Sequence, residues 1–241
     1  MTETLSEGFS FPSKMRLFLD FDGTLADFQD NPDDVHLTES ECELLRALNQ
    51  HLSGAIAFIS GRDIRDLAKR TPKEIWRIGN HGLYSAPPLT MPPSELPEFP
   101  KDLLQDILDV TSSHKGVWTE QKGPVIAVHT RANPEAEPQI IKALGAMISG
   151  HEDYCLQNGH NVIEVKPITA NKGAGLLRQM DIPPFKGGIA VMIGDDTTDE
   201  DAFAAAASLG GFGIKIGLGP TNAPYRIETI SNLYALLRTI I

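Results

Sequence analysis

Short, mainly apolar runs alternate along the chain with longer segments whose apolar residues recur every three or four positions. Met15–Leu19 is a run of the first kind, and residues 55–59 (Ala-Ile-Ala-Phe-Ile) form another. Between them, Leu37, Leu44, Leu45 and Leu48 fall at helical spacing over 37–52, and residues 63–70 continue as a second helix. The alternation returns after Asn171, with a helix to about Met180 and a buried strand over 188–193. A helix to about Ala207, a strand near Phe212–Ile216 and a last helix over 231–241 complete it. Strand–helix alternation with strands apolar on both faces predicts a parallel sheet covered by helices on both sides.

The middle of the chain has a different rhythm. Residues 86–100 hold six of the seventeen prolines: Pro87, Pro88, Pro92, Pro93, Pro97 and Pro100. Proline fixes φ and removes a donor, so this stretch reads as an extended, irregular boundary. Beyond it, a helix over 102–110 precedes two strands within 117–130, turning near Lys122-Gly123. A second helix over 134–148 precedes a hairpin within 154–165, expected to turn at Asn158-Gly159. Helix then hairpin, twice over, is an α+β pattern. The organisation expected is a split core, 1–86 and 167–241, carrying an inserted α+β module at 87–166.

Composition narrows the functional classes. The chain has 241 residues, 41% hydrophobic and 22% charged, with a net charge of −11. These proportions suit a folded globular protein. The negative balance argues against nucleic acid as a partner, whose phosphates are gripped by clustered cations, but leaves room for one small phosphorylated ligand and a divalent cation. Cys42 and Cys155 have no ligand or disulfide spacing. There is no signal-like N-terminus and no apolar stretch near the ~20 residues of a membrane span. A cytoplasmic, monomeric protein without membrane partners is therefore expected.

Chemistry-bearing residues follow the apolar runs. Asp20-Phe21-Asp22-Gly23-Thr24-Leu25 leaves the first strand, and ligands bind at the carboxyl ends of strands in open α/β sheets. Both acids can face one ligand only if the chain bends after Asp20, which Asp22-Gly23 favours. Ser60-Gly61-Arg62 leaves the second strand, where a hydroxyl and backbone N–H groups suit an anion. Lys172 opens a helix. Asp195, Asp196, Asp199, Glu200 and Asp201 then crowd seven residues after the strand at 188–193. Such acids repel one another unless solvated or bound to a cation. Each feature alone also reads as ordinary turn or helix-cap chemistry. Parallel strands bring all four to one sheet edge, supplying a nucleophile, an acid–base group, a cation site and donors for phosphoryl oxygens.

These four motifs resemble the haloacid dehalogenase superfamily of phosphatases, whose core is Rossmann-like, and the 87–166 insert resembles that superfamily's α+β cap. Asn80-His81-Gly82, Glu120-Gln121-Lys122-Gly123, Val162 to Pro167, Lys172-Gly173 and Lys215-Ile216-Gly217 narrow the resemblance to trehalose-6-phosphate phosphatases, from about Arg16 to the C-terminus. Thr197 departs from the larger side chain expected there. The resemblance implies Asp20 as nucleophile and Asp22 as general acid then base. It implies Mg²⁺ held by Asp20, the Asp22 carbonyl and Asp195, with Asp199 beside it. It also implies phosphate binding by Ser60, Gly61 and Lys172, and sugar binding by Glu120, Lys122 and Glu164. His81 is equally compatible with a structural role.

Other phosphatases of the superfamily, acting on sucrose 6-phosphate or mannosyl-3-phosphoglycerate, need different cap residues. A sugar phosphomutase would pass phosphate to a sugar rather than to water. A non-catalytic sensor is disfavoured because Asp20 and Asp22 are both present.

Overall fold

The computed structural model describes every residue except 1, 6, 7, 30 and 160. Strands β1 (Glu3–Thr4) and β2 (Met15–Leu19) lead to helix α1 (Glu39–His51), then β3 (Ile56–Ile59), α2 (Ile64–Arg70), β4 (Trp76–Gly79) and β5 (Tyr84–Ala86). The middle segment adds α3 (Lys101–Ser112), β6 (Trp118–Lys122), β7 (Val125–His129), α4 (Glu137–Ile148), β8 (Tyr154–Gly159) and β9 (Val162–Pro167). The chain returns with α5 (Lys172–Met180), β10 (Ile189–Gly194), α6 (Thr197–Ser208), β11 (Phe212–Ile216), β12 (Tyr225–Ile227) and α7 (Ile230–Arg238).

Two compact units result: Met1–Pro92 with Asn171–Ile241, and Pro93–Ala170. Both divisions fall a few residues later than the expected 86/87 and 166/167. The first has a clear cause. Arg77, 2% exposed, donates to the carbonyls of Pro87 and Thr90 at 2.8 and 2.9 Å and ties that segment to the larger unit.

In the larger unit eight strands run in the order β1-β12-β11-β10-β2-β3-β4-β5. All pairs are parallel except β4–β5. Alternation along β2 divides the core into two layers. Leu17 and Leu19 pack with Leu45 and Leu48 of α1 and Leu233 and Leu237 of α7. Phe18 points oppositely and packs with Leu176 of α5 and Phe203 of α6. The result is the expected α/β architecture, a mainly parallel sheet with helices on both faces. Helix starts are set by side-chain oxygens. Thr38 and Glu41 form a capping box for α1, Asp63 caps α2 and Asn171 caps α5.

The smaller unit is a four-stranded antiparallel sheet, β6-β7-β9-β8. Ile126, Val128, Ile163 and Val165 of one face pack with Leu103 and Ile107 of α3 and Ile140 and Leu144 of α4. The hairpin at 154–165 differs from expectation. Asn158 and Gly159 pair with Ile163 and Val162 inside the ladder, so the connection falls at 160–161, one of which lies outside the described residues. Asn161 has φ 57°, the left-handed conformation that asparagine tolerates better than most residues.

Candidate active site

Parallel pairing places the C-terminal ends of β2, β3 and β10 along one edge of the larger sheet. Asp20 follows β2, Ser60 follows β3 and Asp195 follows β10. Lys172, the first residue of α5, supplies the countercharge: its Nζ lies 2.7 Å from Asp20 Oδ1 and 2.7 Å from Asp199 Oδ1. Asp20, Lys172 and Asp199 are all buried. Burial alone would lower the Lys172 pKa, but Asp199 and Asp20 outweigh it and hold the ammonium above the ordinary lysine value.

The carboxylates outnumber that cation. Oxygens of Asp20, Asp195 and Asp199 approach within 4.8 Å of one another. Burial raises the Asp20 pKa well above its ordinary value against the pull of Lys172, and Asp199 and Asp195 push the same way. Burial, reinforced by Asp199, raises Asp195 to about 6. A largely buried set of oxygen donors with surplus negative charge fits a hard divalent cation such as Mg²⁺.

Neighbouring groups fix these carboxylates. Thr24 donates to Asp195 Oδ1 at 3.1 Å and to Asp20 Oδ2 at 3.4 Å. Asp199 Oδ2 accepts from the backbone N–H groups of Asp195 and Asp196, both at 3.0 Å. Asp199 thus serves as loop anchor and Lys172 partner, besides closing the capping box that Asp196 opens on α6. The Lys215 ammonium donates to the Asp195 and Ile216 carbonyls beneath the same loop. Gly23 is required where it stands. Its φ is 75°, and a side chain there would meet the Asp195 carboxylate.

Asp22 is held differently. Both its oxygens pair with the Arg62 guanidinium, Nε to Oδ2 at 2.8 Å and Nη2 to Oδ1 at 2.6 Å. Arg62 also donates to Asp66 at 2.8 Å, and Arg70 grips Asp66 from the other side. Beside them Ser60, 1% exposed, accepts from Arg62 N–H at 3.1 Å, which leaves its hydroxyl proton for another acceptor. The loop 80–82 braces this turn. Asn80 Oδ1 accepts from Ile64 N–H, and His81 N–H donates to the Ser60 carbonyl. The buried His81 ring lies against Gly61, where a Cβ would come 2.6 Å from its Cε1.

The larger unit therefore gathers Asp20, Asp22, Ser60, Gly61, Lys172, Asp195 and Asp199. With that arrangement established, the comparison with known proteins is decisive: the trehalose-phosphatase family pattern matches residues 18–231. The chain belongs to the trehalose-phosphatase family. The trehalose-6-phosphate phosphatase of Escherichia coli K12 is 32% identical over 245 residues, covering 100% of this chain and 91% of the relative. A probable trehalose-phosphate phosphatase of Sinorhizobium fredii is 34% identical, covering 91% and 84%. In fold, the C-terminal domain of Candida albicans trehalose-6-phosphate phosphatase superposes with a TM-score of 0.83 at 21% identity, covering 100% of this chain and 97% of that one. A haloacid dehalogenase-like hydrolase of Bacillus subtilis gives 0.60 at 17%, covering 94% and 98%.

In this trehalose-phosphatase the three sugar-site candidates fall together in the smaller unit. Lys122 Nζ lies 3.4 Å from Glu164 and 3.9 Å from Glu120. His129 Nε2, on the adjoining strand, is 3.0 Å from Glu120 Oε2. Burial would raise the Glu120 pKa, but the His129 hydrogen bond and the Lys122 charge carry it below its ordinary value. Sequence reasoning quoted Arg62 and Thr24 within their motifs without giving either a role. It passed over His129, whose partner follows only from the β6–β7 register.

Proposed function

We propose that this trehalose-phosphatase hydrolyses trehalose 6-phosphate to trehalose and phosphate through an aspartyl-phosphate. The observation that carries the reading is the buried Asp20–Lys172–Asp199 bridge, beside Asp195, at the strand edge where an open α/β sheet binds its ligands. An ionised carboxylate needs no base to act as nucleophile, but a phosphate dianion repels it. Lys172 offsets that repulsion.

In the first step a bond forms from Asp20 Oδ to phosphorus while the phosphorus–sugar oxygen bond breaks. Asp22 gives its proton to the departing sugar oxygen. In the second step water attacks phosphorus, Asp22 takes the water's proton, and the bond to Asp20 breaks to release phosphate. Ser60 Oγ, the Gly61 backbone and Lys172 donate to the phosphoryl oxygens. Asp20, the Asp22 carbonyl and Asp195 would hold Mg²⁺, with Asp199 fixing the loop that presents Asp195. When bound, the ion neutralises part of the phosphoryl charge. Glu120, Lys122 and Glu164 read the sugar hydroxyls, for which paired carboxylates and an ammonium are suited.

The test is phosphate release from trehalose 6-phosphate beside glucose 6-phosphate, sucrose 6-phosphate and mannosyl-3-phosphoglycerate, with Mg²⁺ and with excess EDTA. Metal-dependent release confined to trehalose 6-phosphate supports the whole reading. Preference for another substrate overturns the roles of Glu120, Lys122 and Glu164. No release from any overturns the hydrolase.

A further inference from the structure

The smaller sheet has one apolar and one polar face. Cross-strand pairing sets Trp118 opposite His129, and Glu120 opposite Ala127, which in turn faces Glu164. Glu164 pairs onward with Gln157. Side chains alternate along a strand, so Trp118, Glu120 and Lys122 share one face with His129, Glu164 and Gln157. The opposite face carries the core under α3 and α4, and Trp118 takes no part in that core.

Trp118 is 51% exposed, and it is the largest side chain on a face that otherwise carries charged and polar groups with small apolar residues such as Val125 and Ala127 between them. It is also held in place. The His129 imidazole lies parallel to its ring, with centroids 3.9 Å apart and planes 13° apart. The imidazole is itself fixed by the 3.0 Å contact of its Nε2 with Glu120. Two aromatic rings are thus locked to one of the carboxylates assigned to sugar hydroxyls, while half of the indole stays open.

We propose that Trp118, oriented by His129, is the stacking platform for the second, unphosphorylated hexose ring of the substrate. This rests on the reading that Glu120, Lys122 and Glu164 bind sugar hydroxyls. A pyranose has polar edges and C–H faces. Its edges suit the Glu120/Lys122/Glu164 row, and a C–H face suits an indole, whose π surface accepts weakly polarised hydrogens. A rigid aromatic surface at the end of that row adds to the preference for a disaccharide phosphate over a monosaccharide phosphate, because only the disaccharide has a second ring to lay on it. His129 is here a positioning residue, acting through the orientation of Trp118.

The experiment compares Trp118→Ala, Trp118→Phe and wild type on trehalose 6-phosphate and glucose 6-phosphate, with thermal melts to establish folding. Trp118→Ala is expected to lower the ratio of the two kcat/KM values by about tenfold, mainly through KM for the disaccharide, as loss of a single apolar contact commonly does. Trp118→Phe retains most of the ratio. Independently of turnover, trehalose added to wild type should change tryptophan fluorescence. Trp118→Phe, which leaves only Trp76 as an indole, should abolish that change. An unaltered ratio, equal losses on both substrates, or a fluorescence change that survives in Trp118→Phe would each overturn the platform. Failure of wild type to hydrolyse trehalose 6-phosphate would instead overturn the function, and the trehalose titration would still decide whether Trp118 meets a sugar.

Discussion

Arg62 grips both carboxylate oxygens of Asp22 with two of its nitrogens, and uses the third to hold Asp66. A bidentate fork sets the plane and position of a carboxylate far more tightly than a single ammonium can. On the role proposed for Asp22, the same fork both positions the carboxylate and competes with the leaving sugar oxygen for it. Arg62→Lys keeps the charge but cannot fork. Its kcat on trehalose 6-phosphate is expected to fall by roughly ten- to a hundredfold, with KM changed much less, since misplacement of a proton-transfer group acts on the chemical step. Steady-state kinetics decide the point: a wild-type kcat in Arg62→Lys would remove Arg62 from any positioning role.

Replacing Asp20 by Asn removes the proposed nucleophile and one charge from a crowded, buried acid cluster. Phosphate release should drop by roughly 10⁴-fold or more, as loss of a nucleophile commonly brings. The melting temperature should hold or rise, because burial and two neighbouring carboxylates already disfavour the ionised form of Asp20. Retained turnover in a folded Asp20→Asn protein would reassign the nucleophile.

Lys172 presents the opposite balance. Its ammonium is the bridge between Asp20 and Asp199, and all three groups are buried. Lys172→Met leaves two buried carboxylates without their partner, a change that costs about 3 to 5 kcal/mol when a buried pair is broken. Both activity and stability should therefore fall, in contrast to Asp20→Asn. Chemical denaturation of the two variants side by side checks this. An unaltered midpoint for Lys172→Met would show that the bridge contributes little to the fold.

Much of this site was legible because parallel strands do the gathering. Asp20, Ser60 and Asp195 each follow a mainly apolar run of four to six residues, interrupted in the first by Arg16, and runs of that kind suit a parallel sheet buried on both faces. Lys172 was readable from Asn171, whose side chain caps the helix it opens. The less legible parts depend on register or on long side chains. Tyr84–Ala86 and Tyr225–Ile227 are too short to announce themselves as strands. The Asn158-Gly159 pair looked like a turn, but the hairpin closes two residues later, because Val162 and Ile163 must face Gly159 and Asn158 to keep Ile163 and Val165 in the core. Arg62 reaches Asp22 across forty positions of sequence, a distance over which spacing carries no information. Trp118 was the recoverable omission, since it stands two and four residues before Glu120 and Lys122 on one strand face.

The charge ladder behind Asp22 gives the fold a defined acid limit. Asp66 is flanked by Arg62 and Arg70, each at 2.8 Å. Burial would raise its pKa, but the Arg70 and Arg62 hydrogen bonds and charges prevail and hold it below the ordinary aspartate value. A carboxyl whose native pKa is depressed stabilises the fold at every pH above its unfolded value, about 3.9, and loses that contribution as pH falls through the native value. Asp63, depressed by its pairing with Arg65 against the same burial effect, follows the same course. Asp66→Asn is therefore expected to melt below wild type at pH 7, and the gap should close as pH is taken from about 4 towards 2. Thermal melts of both proteins across that range are the measurement. A gap that keeps its full size at the acid end would mean that Asp66 acts through shape and neutral hydrogen bonding, and that the arginines draw their order from elsewhere.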